Sequence, residues 1–282
     1  MSDERLLNIA LDSAKKAGVE VMKYYRDKSF TAELKEDESP VTSADIAAND
    51  ILMDQLRTLT PDIPIISEEV GALPLAKRQN WSKYWLLDPI DGTGEFIIGS
   101  GDFAVNIALI ENGWPSIGVI HAPDHHLTYY AQTGLGAFKE CSAPGLTQQQ
   151  TSQSSHQIYV ADYQEKRRIK VAISRRQQLD LMGQYLNDDY DYDYIALGSC
   201  SLKNCLIAEG GADCYLRVGV TGEWDTGASQ CILEQAGGSI IDSEFNPLSY
   251  NKRESLLNPD FLSLGNKNIQ WQNVIKAHRK VY

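Results

Sequence analysis

Apolar residues recur at helical spacing over residues 4–28, at Leu7, Leu11, Ala14, Val21 and Tyr25, which predicts an amphipathic first helix. The polar stretch 35–40 that follows reads as a mobile loop. A second helix opens after Thr42, carries Ile46, Leu52, Leu56 and Leu59, and is stopped by Pro61. Ile63-Pro64-Ile65-Ile66 forms a short strand delivering Ser67-Glu68-Glu69, and a second apolar strand over 83–87 ends at Asp88-Pro89. Runs at 103–110, 117–121, 127–131 and 136–139 are separated by Gly, Asn, Pro and Asp turns, the pattern of antiparallel hairpins. The adjacent pair His125-His126 belongs to one of these turns.

Residues 142–157 contain almost no apolar side chain and read as a surface loop near a domain junction. Beyond them the pattern alternates between strand (170–173, 194–197, 213–216, 239–241) and helix (177–187, 201–209, 225–235). That alternation predicts an α/β class of mixed α+β character. The expected division is an N-terminal subdomain, 1–157, and a C-terminal one, 158–282. There is no internal repeat.

Composition narrows the function. A hydrophobic fraction of 43% suits a globular core, and no apolar run is long enough to cross a bilayer. The first residues, MSDERLLNIALDSAKK, lack a signal-peptide core, so a cytoplasmic location is expected. Five cysteines without a CxxC pair predict reduced, mostly buried thiols. A net charge of −12 argues against binding a nucleic-acid polymer, which requires cations to displace counterions. Surplus acid usually means a solvated surface, but here part of it has a pattern.

The most informative segment is 85–96, Trp-Leu-Leu-Asp-Pro-Ile-Asp-Gly-Thr-Gly-Glu-Phe. Pro89 breaks the strand alternation and lets Asp88 and Asp91 point at one spot. Gly92 allows close backbone approach, and a helix start there would offer N–H groups to a phosphate oxygen. Glu68 and Glu69 end a strand, Asp225 precedes a helix, and Asp45 stands three residues after Thr42 as in a capping box. Each acid taken singly reads equally well as a helix cap or turn residue. Together they suggest a shared site. Two carboxylates about 5 Å apart repel by roughly 3 kcal/mol at an effective dielectric of 20, so such a set takes up protons or binds cations. An oxygen-only donor set favours Mg²⁺, Ca²⁺ or Mn²⁺ over zinc.

The combination of Thr42-Ser43-Ala44-Asp45, Ser67-Glu68-Glu69, Asp88-Pro89-Ile90-Asp91-Gly92-Thr93 and Trp224-Asp225-Thr226 resembles the inositol monophosphatase superfamily of lithium-sensitive, Mg²⁺-dependent phosphatases. Within it, 103–123, Ser201-Leu202-Lys203, 215–226 and Arg253-Glu254-Ser255-Leu256-Leu257-Asn258-Pro259 look most like the bacterial CysQ-type 3′(2′),5′-bisphosphate nucleotidases. The resemblance implies a layered α-β-α-β-α sandwich. It implies that Glu68, Asp88 and the Ile90 carbonyl hold one Mg²⁺, that Asp88, Asp91 and Asp225 hold a second, and that Glu68 helps place a third through water. Gly92 and Thr93 would contact the scissile phosphate, and Asp45 with the Thr93 hydroxyl would polarise the attacking water, making Asp45, Thr93 and Glu68 the catalytic set. Lys203 and Arg217, assisted by Ser201, would face a second phosphate. The wider substrate-contacting set then also includes Glu68, Ile90, Asp91 and Asp225.

The implied reaction converts 3′-phosphoadenosine 5′-phosphate to AMP and phosphate, in sulfur assimilation and nucleotide recycling. An inositol or sugar monophosphatase on the same scaffold is the alternative, and a non-catalytic cation-binding protein a distant one. Some bacterial relatives are described peripherally at the inner membrane. Oligomeric state is not legible in the sequence.

Four departures concern specificity rather than the acids. The pattern Gly-Ser-Ser-Leu-Lys appears as Ser199-Cys200-Ser201-Leu202-Lys203, and the Lys common after Asp-Gly-Thr is Gly94. No His follows Ile173-Ser174-Arg175, and the small pair after Trp-Asp-Thr is Gly227-Ala228.

Overall fold

The computed structural model describes residues 1–35, 38–71, 73–142, 154–162, 168–175 and 179–276. Helices α1 (Asp3–Asp27) and α2 (Ser43–Leu59) flank a hairpin of β1 (Ala32–Leu34) and β2 (Pro40–Thr42). There follow β3 (Ile65–Ser67), α3 (Leu75–Arg78), β4 (Lys83–Asp91), α4 (Thr93–Ile98), β5 (Ala104–Glu111), β6 (Trp114–Ala122), β7 (Leu127–Gln132), β8 (Gly136–Cys141) and β9 (Ser154–Ile158). Strands β3 to β9 form a seven-stranded sheet in sequence order, with only the β3–β4 pair parallel. The second half comprises β10 (Ile169–Ile173), α5 (Leu179–Tyr185), β11 (Tyr192–Ala196), α6 (Cys200–Ala208), β12 (Cys214–Arg217), α7 (Glu223–Gln235), β13 (Ser239–Asp242), β14 (Phe261–Leu264) and α8 (Trp271–Val274). Its five strands are ordered β11-β10-β12-β14-β13.

Alternation along β4 sets the layers. Trp85 and Leu87 pack with Leu52 and Leu56 of α2 and with Ala10 and Ala14 of α1. Tyr84 and Leu86 face the other way, into a core shared with Leu202 and Cys205 of α6 and Ile232 of α7. The far side of the second sheet is closed by Met182 and by Trp271 and Val274 of α8. The result is the expected five-layer α-β-α-β-α sandwich. Small residues let the middle layers approach: a Cβ on Gly118 of β6 would lie 2.2 Å from the Ala228 carbonyl oxygen, and one on Gly227 3.0 Å from Leu86 Cδ2. That is why a Gly-Ala pair suits the first turns of α7.

The structure adds α3, α8 and the inner strand β14, which the sequence reading did not predict, and departs from that reading in three further places. The polar stretch after α1 is partly a hairpin, because β1 and β2 pair through backbone atoms while the β1 side chains stay exposed. Ser154–Ile158 is an edge strand on β8 rather than loop, and its mostly exposed polar side chains hide it from an apolar pattern. Residues 143–153 of that stretch lie outside the described residues. Strand β4 does not end before Pro89 but runs to Asp91, with its register shifted between Asp88 and Asp91 opposite Asn106 and Ala104. Residues three apart point to opposite faces of a regular strand, and this irregularity lets both acids serve one side.

Arg78, fully buried, ties α3 to the segment that braces α7. Its Nε donates to the Leu73 carbonyl (2.7 Å), Nη1 to Asn251 Oδ1, and Nη2 to the carbonyls of Arg253 (2.9 Å) and Glu254. Asn251 N–H in turn donates to Glu223 Oε2 (2.8 Å) at the start of α7. Arg78→Met is expected to lower unfolding free energy by about 2 kcal/mol in urea titration, since buried Asn251 and three part-buried carbonyls lose a charged donor. An unchanged midpoint would refute that role.

Candidate active site

The site forms where β4 ends and the N-termini of α6 and α7 meet it. Asp88, Asp91 and Asp225 bring one carboxylate oxygen each within 4.8 Å of one another. Their positions come from two local causes: the β4 irregularity for the first two, and a capping arrangement for the third. Asp225 is the third residue of α7 rather than its cap, and its Oδ2 accepts the Gly222 N–H (2.6 Å). Asp91 is held most firmly. Its Oδ2 accepts the Ser199 hydroxyl and the Ser201 N–H (2.7 Å), and its Oδ1 the Cys200 N–H (3.1 Å), so the first turn of α6 is aimed at it.

Burial pushes the Asp88 and Asp225 carboxyls well above their ordinary values, and neighbouring carboxylates push further: Glu68, Asp91 and Asp225 on Asp88, and Asp91 and Glu68 on Asp225. Asp88 Oδ1 is buried without a hydrogen-bond partner. An orphaned oxygen inside an all-carboxylate set is the environment that a hard divalent cation satisfies, by supplying both charge and coordination. The donor set therefore fits such an ion.

Glu68 stands beside this trio but not in it. Its Oε1 accepts Lys35 Nζ (2.9 Å), which also reaches Glu69 Oε1 (2.9 Å), and its carboxyl is raised chiefly by burial. Asp45 and Thr93 meet as a pair. Thr93 Oγ1 lies 3.0 Å from Asp45 Oδ1 and 3.1 Å from the Ile90 carbonyl oxygen. The other Asp45 oxygen accepts the Thr42 N–H (2.8 Å) and hydroxyl, completing the capping box that the sequence predicted. Asp45 is 1% exposed, and burial moves its carboxyl up to about 6. Gly92 occupies the left-handed region (φ 93°), and a Cβ there would come 2.9 Å from the Asp102 carbonyl oxygen, so glycine is required.

A cavity of about 420 Å³ opens from this cluster and is lined by Asp91, Asp225, Lys203, Arg217, Tyr215 and Arg175 among others. Lys203 is 2% exposed, and its Nζ donates to the carbonyls of Leu197 (3.3 Å) and Ser199 while lying 4.9 Å above the Tyr215 ring. Arg217 sends Nη2 to the Val220 carbonyl (2.8 Å). Ser201 is fully buried with its N–H committed to Asp91, and Ser199 and Cys200 line the cavity in its place.

The sequence had not pointed to Ser199, Lys35, Asp102, His125 or Arg175 as members of this neighbourhood. Ser199, the side-chain cap of α6, was detectable as a serine just before a helix. The others meet partners remote in sequence, and nothing local marks them. The four cysteines Cys200, Cys205, Cys214 and Cys231 are buried and Cys141 is exposed, all as free thiols. No helix among the described residues is long and apolar enough to cross a membrane.

Residues 2–277 match the model of the inositol monophosphatase family. The chain is 38% identical over 273 residues to the 3′(2′),5′-bisphosphate nucleotidase CysQ of Aggregatibacter actinomycetemcomitans, covering 97% of each protein. It is 42% identical over 257 residues to the CysQ of Escherichia coli K12, covering 91% of this chain and 98% of that one. Among solved structures, CysQ from Bacteroides thetaiotaomicron superposes with a TM-score of 0.78 at 33% identity, covering 93% of this chain and 98% of the other.

Proposed function

The chain belongs to the inositol monophosphatase family, and from that premise we propose that it is a Mg²⁺-dependent 3′(2′),5′-bisphosphate nucleotidase. Its reaction is hydrolysis of 3′-phosphoadenosine 5′-phosphate to AMP and phosphate. The observation that carries this reading is one cavity lined both by Asp91 and Asp225 of the aspartate cluster and by the cationic side chains of Lys203 and Arg217. A doubly phosphorylated substrate needs both features, since its second phosphate requires cations of its own.

Glu68, Asp88 and the Ile90 carbonyl are assigned to one Mg²⁺, and Asp88, Asp91 and Asp225 to a second, with Glu68 near a third. When bound, the ions lower the pKa of the attacking water and offset charge on the phosphoryl oxygens. Glu68 would join this set with the Oε1 that Lys35 Nζ now contacts. The Thr93 hydroxyl, 3.0 Å from Asp45 Oδ1, hands the water's proton toward a carboxylate that titrates near 6 and so remains a competent base at neutral pH. Gly92 leaves room for the scissile phosphate against the backbone. Lys203 and Arg217 hold the other phosphate at the far part of the cavity, and Ser201 acts through Asp91 rather than by direct contact. The same reading places the protein in the cytoplasm and in sulfur assimilation, with 1–157 and 158–282 as its subdomains.

The test compares phosphate release from the bisphosphate nucleotide and from inositol 1-phosphate, with Mg²⁺ and with chelator. Arg217→Gln is expected to lower kcat/KM for the nucleotide by about 30-fold, the loss of one charge-assisted contact, and for inositol 1-phosphate by less than about threefold. Equal losses would sink the second-phosphate assignment. No Mg²⁺-dependent release from any monoester would sink the hydrolase itself.

A further inference from the structure

Behind the cavity wall, Asp102 joins three segments that the proposed reaction does not use. It follows α4, is 2% exposed, and accepts four hydrogen bonds. Its Oδ1 lies 3.0 Å from His125 Nε2, while its Oδ2 accepts Arg175 Nε (2.9 Å), Arg175 Nη2 and the Gly198 N–H (2.8 Å). Burial alone would raise this carboxyl, yet the Gly198 N–H, Arg175 and His125 together hold it below its ordinary value. Arg175 follows β10 and Gly198 follows β11, so Asp102 links the first half of the chain to two connections of the second sheet.

The residue after Gly198 explains what such a link accomplishes. Ser199 has φ 54° and ψ 140°, a backbone state that a non-glycine residue rarely adopts and that persists only when its surroundings enforce it. In that state Ser199 does two things at once: its hydroxyl caps the Leu202 N–H (3.1 Å) and donates to Asp91 Oδ2. The Cys200 and Ser201 N–H groups then fall onto the same carboxylate. The three segments touch without slack. A Cβ on Gly198 would lie 2.6 Å from both Asp102 Cβ and Glu95 Cγ, and one on Gly92 3.4 Å from Ser199 Cα.

We propose that Asp102 and Arg175 form a latch that positions the turn at residues 198–201 against Asp91, making both of them positioning residues for the reaction. The proposal rests on the reading above only in taking Asp91 as a working group. Asp102 fixes the Gly198 amide, Arg175 fixes Asp102 through a two-nitrogen fork, and the strained Ser199 is thereby held where three donors orient Asp91. Arg175, with a side chain 43% exposed, also lines the cavity. Glu95 Oε2 lies 3.6 Å from Arg175 Nε.

The experiment uses Asp102→Asn, Arg175→Gln and the double variant. Amide hydrogen exchange of peptides spanning 198–202 in the metal-free protein is read alongside kcat and KM for the bisphosphate nucleotide. Exchange should accelerate at least about tenfold in each variant, and kcat should fall about tenfold or more with KM within about threefold, as expected when a charge-assisted bond is lost. The double variant should be no worse than Asp102→Asn within about twofold, because the two side chains act as one unit. Wild-type exchange in both single variants would overturn the latch. So would a rise in KM with kcat and exchange unchanged in Arg175→Gln, which would make Arg175 a direct substrate contact, or losses that multiply in the double variant. If Asp102→Asn fails to fold, the partly exposed Arg175→Gln decides alone. If the wild type hydrolyses nothing, the proposed function fails, while the exchange data still decide the latch.

Discussion

Asp88→Asn is expected to abolish turnover and, in the same step, to stabilise the metal-free protein. The side chain is 1% exposed, its Oδ1 has no partner, and its carboxyl is crowded by Glu68, Asp91 and Asp225. Asparagine has the same shape and no charge. Removing one full carboxylate from two others within 4.8 Å relieves up to about 3 kcal/mol per charged pair at an effective dielectric of 20. Because burial and the neighbouring carboxylates already bias this carboxyl toward its neutral form, the net gain should be smaller, about 1–2 kcal/mol at pH 8. For a chain of this size that corresponds to a Tm rise of about 2–5 °C. Catalysis moves the other way. Loss of a ligand shared by both proposed ions should cut kcat by about 10³-fold. Phosphate release and thermal melts in chelator and in Mg²⁺ check both halves: wild type should be the less stable protein without Mg²⁺ and the more stable with it. A variant with near wild-type turnover contradicts the ligand assignment, and one that melts lower in chelator contradicts the account of crowding.

That opposition between stability and function also explains what could be read in the sequence. Asp88, Asp91 and Asp225 stand beside Pro, Gly or Thr residues at element ends, and Asp45 stands three residues after Thr42, so the clustering of the first three and the capping position of the fourth were legible before any coordinates. Helices α1, α2 and α7 and the hairpins β5 to β8 carry strong apolar periods and were equally plain. The hairpin β1–β2 and the edge strand β9 were not, because they are held by backbone pairing and expose polar side chains. The orientation of Lys203 was hidden for a related reason. A lysine near a phosphatase motif suggests a free cation, whereas its Nζ is engaged by carbonyls of its own N-terminal turn and by the Tyr215 ring. Lys35 on Glu68 and Arg175 on Asp102 are pairings across 33 and 73 residues. A local pattern carries no trace of them, since ion-pair partners are chosen by the packing of the layers.

Raising the pH from 6.5 to 8.5 should destabilise the metal-free protein, and Mg²⁺ should remove most of that slope. Glu223 is moved by burial from 4.5 up to about 7, and Asp88, Asp225 and Glu68 are raised chiefly by the same cause. A carboxyl whose folded pKa lies above its unfolded value leaves the folded state holding more protons than the unfolded one. Its contribution is complete below the unfolded pKa and is lost as pH climbs through the folded one. Asp45, raised to about 6, loses most of its contribution just below this window. His121 has the opposite sign: burial lowers it from 6.5 to about 4, so it destabilises the folded state mainly as pH falls below 6.5. Choosing 6.5 as the lower limit therefore leaves the carboxyls dominant, with His121 adding only a smaller slope of opposite sign. Asp102, held below its ordinary value, stays ionised throughout and contributes no slope. Glu223, titrating near 7, should account for about 1 kcal/mol of the loss over these two pH units, and the crowded aspartates should add to it with the same sign. Under saturating Mg²⁺ the aspartates hold the ion rather than protons, and binding strengthens as protons leave, so only the Glu223 share, about 1 kcal/mol, should persist. Urea unfolding at the two pH values, in chelator and in Mg²⁺, measures both slopes. A metal-free protein that gains stability toward pH 8.5 would mean that these carboxylates are not crowded as the folded chain places them, and a slope unchanged by Mg²⁺ would mean that the ion binds elsewhere.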